Sequence, residues 1–391
     1  MATQFINCRQ CIHGELISQP LTISSSGLII PNTPLPPNTQ TIDLKNAIIS
    51  PGFIELQING ALGFHFAHTK TPEIYTAGVQ KLARYLPKTG VTGFFPTVPT
   101  VSSDVFKQVL PYLAPREEEG AASVLGAHVE GPFLAPSKKG AHDASNMFIP
   151  SAASLEDVYG EKNLKESIRV CTLAPELPGA LEHIKKLRNE YGVRVSMGHS
   201  AANIEQGIEG MKAGANLITH TFNAMNPLHH REPGLPVGLL SSPTPPYFSL
   251  IADSIHLHPN VVSLAYRSSP SHCILITDSI ELSGLPDGIY PGHAQIPFQQ
   301  QKTGNKVTIL NTTTLIGTCI GLDECVRNLM AWAEIGIEEA VRCVTENVAE
   351  AAGLSDRGML EVGRRGDFVV LGEGGDVRET WMLGKKVWGE A

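Results

Sequence analysis

The feature that most constrains this chain is a rhythm. Short apolar runs, rich in β-branched residues, recur eight times: at 52–58, 92–98, 124–129, 170–174, 194–197, 217–219, 248–252 and 273–277. Runs of this length read as strands buried on both faces. Stretches of helical period lie between most of them, at 73–86, 105–113, 180–191, 204–213 and 261–267. Two more, 323–334 and 338–351, follow the eighth run. Pro178 ahead of Ala180 and Gly192 behind Tyr191 are a sensible helix start and stop. Strand and helix in alternation require parallel strands joined by crossover helices. Eight such units over about 300 residues predict an α/β fold closed as a (β/α)8 TIM barrel.

The two ends of the chain keep a different rhythm. Strand-like pieces occur at 5–8, 15–17, 27–30 and 42–49, interrupted by a Pro-rich turn or linker at 31–37. Others occur at 359–360, 368–371, 377, 381–382 and 387. These flanking segments are expected to pair as a small β-domain of residues 1–50 and 356–391, around a barrel of residues 51–355.

Charge narrows the partners. Lys plus Arg is 30 and Asp plus Glu is 38, a net charge of −8, and no long basic run is present. Nucleic acid and an anionic membrane are therefore disfavoured as partners. No apolar run approaches the ~20 residues of a membrane span, and residues 1–17 hold no apolar signal core. The seven cysteines are Cys8, Cys11, Cys171, Cys273, Cys319, Cys325 and Cys343, most of them inside apolar segments. They read as reduced thiols of a cytoplasmic protein. Cys8 and Cys11 form a lone CxxC without a second pair to complete a zinc site. Gly-rich phosphate loops and a GxSxG elbow are missing, and Cys319 has no evident base beside it.

Four strands end in ionisable groups. The third run leads to Glu130, the fifth to His199, the sixth to His220 and the eighth to Asp278. In a barrel of this kind the strand C-termini share one face, so these side chains should converge. One carboxylate and two imidazoles suit a catalytic zinc with a position open for water. The remaining acid, Asp278, can take a proton from that water and return it to a leaving group.

Several runs carry a resemblance: Pro51-Gly-Phe-Ile-Glu-Leu-Gln-Ile-Asn-Gly60, His128-Val-Glu-Gly-Pro-Phe133, Gly198-His-Ser200 and Thr219-His-Thr-Phe-Asn-Ala-Met225. Together they resemble the amidohydrolase superfamily, and the whole set is similar to its N-acetylglucosamine-6-phosphate deacetylase family. His230-Arg-Glu-Pro-Gly234, Ile251-Ala-Asp-Ser-Ile-His256 and Leu315-Ile-Gly-Thr318 fit the same family. The tail around Arg365-Gly-Asp-Phe-Val-Val370 resembles the superfamily's closing β segment. Coverage is essentially the full chain.

The resemblance implies hydrolysis of the acetamide of a phosphorylated amino sugar, giving acetate and an amino-sugar phosphate. Many amidohydrolases carry a His-x-His pair after the first strand and hold two metals. Here those positions are Gln57 and Asn59, and an amide is a poor zinc ligand. One divalent metal, zinc by default, is therefore expected on Glu130, His199 and His220. By the same resemblance Ala141, His142, Asn223, Ala224, Arg231, His256, Leu315, Ile316 and Gly317 bind substrate. His142 lies near the scissile carbonyl, and Arg231, Asn223, Ala224 and His256 hold the phosphate. A homodimer is also implied. Two rivals stay open at this stage: a mononuclear amidohydrolase of N-acyl amino acids or cyclic amides, and a non-catalytic barrel scaffold. A scaffold usually loses metal ligands, whereas this chain retains them.

Overall fold

A computed structural model describes residues 1–293, 296 and 298–389. The last two residues of the expected β-domain, 390 and 391, lie outside the described residues. Eight parallel strands form the barrel: Phe53–Ile58, Val91–Pro99, Ser123–Val124 continued by Ala127–Glu130, Ile168–Leu173, Arg194–Met197, Leu217–Ile218, Tyr247–Ile251 and Cys273–Ile276. Each of the eight apolar runs is a strand, with its ends shifted by at most two residues. The third strand breaks at Leu125–Gly126, where Gly126 takes a φ of 111° that a larger residue resists. Both of its halves pair with the second strand.

The ring closes at a seam between the first and eighth strands. Asp278 N–H donates to the Gln57 carbonyl at 3.0 Å, and Asn59 N–H donates to the Ser279 carbonyl at 2.7 Å. Below them the Glu55 carboxyl group accepts from Thr277 N–H at 3.3 Å and from Gln57 N–H at 3.1 Å. A side chain thus supplies part of what a ladder supplies elsewhere.

Strands of the first and second positions are buried along their whole length, as expected of parallel strands covered by helices. The helices follow the apolar periodicity. Thr71 caps Pro72–Tyr85 with Pro at its start, and a capping box of Asn203 and Gln206 opens Ile204–Ala213. The single helix expected over 338–351 is instead Ile337–Ala340, a 3-10 turn Val341–Val344, and Glu346–Ala352. The break falls where Val341, Val344 and Thr345 crowd the chain. The Thr345 hydroxyl donates back to the Val341 carbonyl at 2.7 Å and competes with the helical ladder.

The chain ends meet in a second sheet. Gln40–Pro51 pairs in parallel with Thr3–Ile12 and antiparallel with Phe368–Leu371, and Val377–Met382 and Lys385–Gly389 extend it. Phe5, Phe368 and Trp381 pack edge-on and stacked at its centre. Residues 359–360, expected as a strand, form a bend after Gly358, whose φ is 84°.

One element was not anticipated. Between the eighth strand and helix Leu322–Ala333 lies a four-stranded antiparallel sheet: Gly288–Tyr290, Gln300–Thr303, Lys306–Ile309 and Leu315–Thr318. Its strands are only three or four residues long and one of them, Gln300–Thr303, holds no apolar residue, so the apolar pattern hides them. A signal was nevertheless present: residues 304–305, Gly then Asn, form a two-residue hairpin with Gly304 at positive φ. Among the described residues no helix is long and apolar enough to cross a membrane.

Candidate active site

Glu130, His199, His220 and Asp278 all stand at the C-terminal ends of barrel strands, and all are buried. Three of them leave the regular backbone there. The φ of His199 is 47°, of His220 29° and of Asp278 48°. Left-handed backbone at residues with side chains costs on the order of 1 kcal/mol or more each, and such outliers cluster at functional sites. It turns each side chain from the barrel wall towards the axis.

The donor atoms converge. His220 Nε2 lies 2.9 Å from Glu130 Oε1, His199 Nε2 lies 3.3 Å from it, and the two nitrogens are 3.1 Å apart. His199 Nδ1 donates to the Lys138 carbonyl at 2.8 Å. In the neutral ring this leaves the Nε2 lone pair aimed at the centre. Lone pairs of two imidazoles and a carboxylate around one point fit a divalent cation. Burial alone would raise the Glu130 carboxyl, but the imidazoles of His199 and His220 beside it and the nearby His142 hold it well below the usual range.

Asp278 is tuned the other way. Burial and the charge of Glu130 push it up to about 6, against His220, His256 and a hydrogen bond from Asn59. Its Oδ1 accepts from Asn59 Nδ2 at 2.7 Å and from Gln57 Nε2 at 3.2 Å, while Gln57 Nε2 also reaches Glu130 Oε1 at 3.1 Å. The two amides at the expected His-x-His positions therefore orient carboxylates. The earlier reading of Gln57 and Asn59 as poor ligands missed this use, which pairs of amides facing acids could have suggested.

His142 has a fixed tautomer. Its Nδ1 accepts from Thr100 N–H at 3.2 Å, so Nε2 carries the proton, 3.7 Å from Glu130 Oε2. Burial and the neighbouring His199 lower its pKa to about 3, so the ring is neutral and a donor. Asp253, quoted only within a motif above, holds His256: Asp253 Oδ2 lies 2.7 Å from His256 Nδ1, and Oδ1 accepts the backbone N–H of Ile255 and His256. Beneath the site His128, Thr172, Thr219 and Ser196 form a buried polar layer, with His128 Nε2 2.8 Å from the Thr172 hydroxyl.

A cavity of about 230 Å³ opens over these groups. Ala141, His142, Asn223, Ala224, His256, Leu315, Ile316 and Gly317 line it together with Glu130, His199, His220 and Asp278. The unanticipated sheet contributes Leu315, Ile316 and Gly317 as a wall. Gly317 has a φ of 50°, and a Cβ there would fall 2.9 Å from the Asp278 carbonyl oxygen. His65, Ile251, Ile280 and Ile296 also line the cavity and were not expected to bind substrate. Arg231 is different. It is exposed on the loop after Ala224 and is not among the residues lining this cavity.

No protein-family model matches the chain. The N-acetylglucosamine-6-phosphate deacetylase of Danio rerio is 36% identical over 400 residues, 99% of this chain and 96% of the relative. The crystal structure of the N-acetylglucosamine-6-phosphate deacetylase from Pasteurella multocida superposes with a TM-score of 0.85 at 25% identity, over 100% of both chains. That of a Mycobacterium smegmatis N-acetyl-D-glucosamine-6-phosphate deacetylase mutant in complex with N-acetyl-D-glucosamine-6-phosphate gives 0.83 at 26% identity, over 99% of both chains.

Proposed function

The chain belongs to the N-acetylglucosamine-6-phosphate deacetylase family of the amidohydrolase superfamily, and from that premise we propose how its own residues act. It is a metal-dependent hydrolase of N-acetyl-D-glucosamine 6-phosphate, releasing acetate and D-glucosamine 6-phosphate. The observation that carries this is one cavity holding a three-donor cluster, an aspartate raised to about 6 and a neutral imidazole donor. Glu130, His199 and His220 would hold one divalent cation, zinc by preference for this donor set. Such a cation supplies Lewis acidity towards the acetamide carbonyl and towards water.

The chain's own groups do the rest. Asp278 Oδ1 is occupied by Asn59 and Gln57, which leaves Oδ2 to accept a proton from the attacking water. A C–O bond forms at the carbonyl carbon. His142 Nε2–H donates to the oxygen on which negative charge develops. The C–N bond then breaks as Asp278 returns its proton to the departing amine. A carboxyl near 6 exchanges a proton in both directions at neutral pH, which one at the ordinary value does less well.

His256, steadied by Asp253, and Asn223 and Ala224 are assigned to the phosphate. Ala141, Leu315, Ile316 and Gly317 bound the sugar. Arg231 belongs to the same reading through a homodimer, in which the exposed loop of one protomer serves the partner's cavity. The division into a β-domain of residues 1–50 and 356–391 and a catalytic barrel of residues 51–355 goes with it. So does a cytoplasmic setting, supported by seven unpaired cysteines.

The test is acetate release from N-acetylglucosamine 6-phosphate and from N-acetylglucosamine, side by side, with chelated and zinc-reloaded protein. A strong preference for the phosphate, lost on chelation and restored by zinc, is expected. Metal-loaded, folded protein that acts on neither sugar would refute the substrate.

A further inference from the structure

We infer that the mouth of the barrel opposite the active site binds a dianionic phosphate group. Four arginines from distant parts of the sequence line one cavity of about 550 Å³ there: Arg116, Arg169, Arg194 and Arg357. Arg169 and Arg194 stand at the starts of the fourth and fifth barrel strands, so the cavity lies on the N-terminal face.

The charges do not balance. Two carboxylates, Glu117 and Asp356, also line this cavity, and both are engaged. Asp356 pairs with Arg357 at 2.9 Å. Glu117 pairs with Arg365 at 2.5 Å and lies 3.5 Å from Arg357. Arg169 donates only to the carbonyls of Ile168, at 2.9 Å, and Lys165, at 3.3 Å. Arg116 donates to the Tyr112 carbonyl. The Arg194 side chain has no hydrogen bond or ion pair among the described residues. Arg357 is 5% exposed, yet its Nη1 is buried without a partner. Burial draws Arg169 below the usual guanidinium range with no anion to offset it, and lowers Arg116 despite the nearby charge of Glu118. All this occurs in a chain whose net charge is −8.

The backbone makes room for these side chains. A Cβ at Gly353 would lie 2.0 Å from Arg194 Nη2, and one at Gly93 would lie 3.0 Å from Arg357 Nη1. Two glycines thus let two guanidiniums in. Planar N–H forks facing one space match the oxygens of a phosphate group, which several can share. Phe95, Leu125 and Leu354 give the same cavity an apolar wall, so the phosphate can carry an organic body. A ligand held there would join Arg169 and Arg194 on the barrel to Arg357 on the segment that leads into the second sheet.

The probe is inorganic phosphate, titrated calorimetrically into the full chain and into Arg169→Ala/Arg194→Ala. Wild type should bind one more equivalent than the double variant. The variant should keep wild-type kcat and KM, because neither arginine belongs to the catalytic cavity. Equal stoichiometry and affinity in both proteins would overturn the proposal. Should the double variant fail to fold, Arg194→Gln alone is decisive. Arg194 has no partner to lose, and its phosphate affinity should fall roughly tenfold, the effect of one charged hydrogen bond. Unchanged affinity would overturn the site. A nucleoside triphosphate that binds this site more tightly than inorganic phosphate assigns the apolar wall to an organic body. Equal affinity assigns the site to free phosphate. Both readouts are binding at this mouth, so they stand or fall independently of the deacetylase reading.

Discussion

Glu55 and Glu130 are two glutamates on neighbouring levels of the same barrel, both buried, and they end in opposite protonation states. Glu55 sits in the seam between the first and eighth strands with hydrogen bonds from backbone N–H groups and from Thr277. Its burial is answered by no cation, and its carboxyl is pushed up to about 8. Glu130 sits one level higher, among three imidazoles, and is held well below the usual range. Asp278, between the two environments, is raised to about 6. Burial is common to all three, so the neighbours decide the charge. The upper level is built to hold a cation and move a proton, and the lower level to close the ring.

Breaking the upper level should have the largest effect. Glu130→Gln removes the anion that the two imidazoles face. Metal content by elemental analysis should fall from about one equivalent towards none, and acetate release should vanish with it. A variant that keeps its metal and its rate would end the assignment. Asp278→Asn should keep the metal and the fold but lose ~10²–10⁴ in kcat, as removal of a general acid–base does. Near-normal turnover would dismiss that role. His142→Ala should cost ~10²–10³ in kcat with metal content unchanged, the usual loss of one oxyanion donor. A change confined to KM would instead make it a binding residue.

The lower level should answer in stability rather than rate. Because the folded pKa of Glu55 is raised, the native state keeps a proton that the unfolded chain releases. Its contribution is full below the ordinary carboxylate pKa and is lost as pH rises towards and through about 8. Denaturant titrations at pH 6, 7 and 8 should therefore show wild type weakening with pH more than Glu55→Gln. Parallel slopes for the two proteins would mean that Glu55 is ionised in the folded state.

This two-level organisation was only half legible in the sequence. Parallel strands covered on both faces are mostly apolar, so all eight stood out, and an ionisable residue just past each of four runs marked the upper level. Glu55, Gln57 and Asn59 were harder. Inside a strand, alternation alone does not say whether a polar side chain faces the axis, and their partners lie across the seam. The antiparallel sheet that supplies Leu315–Thr318 was hidden for a different reason. Its strands are only three or four residues long and QQKT holds no apolar residue, and the Gly-Asn turn was its plainest mark. Arg231 shows a further limit: a residue can match a motif while its own chain holds it away from the cavity.

The seam also has a consequence for how the protein comes into being. Gln57 and Asp278 are separated by 221 residues, yet each helps to place the other. Contacts of such long sequence separation form late, since the chain between them must first be ordered. A ribosome that has made the first five strands has produced Glu130 and His199 but neither His220 nor the wall that closes on them. Synthesis from N- to C-terminus therefore yields a cation pocket only near its end, and an arrested or truncated chain has no partial enzyme to release.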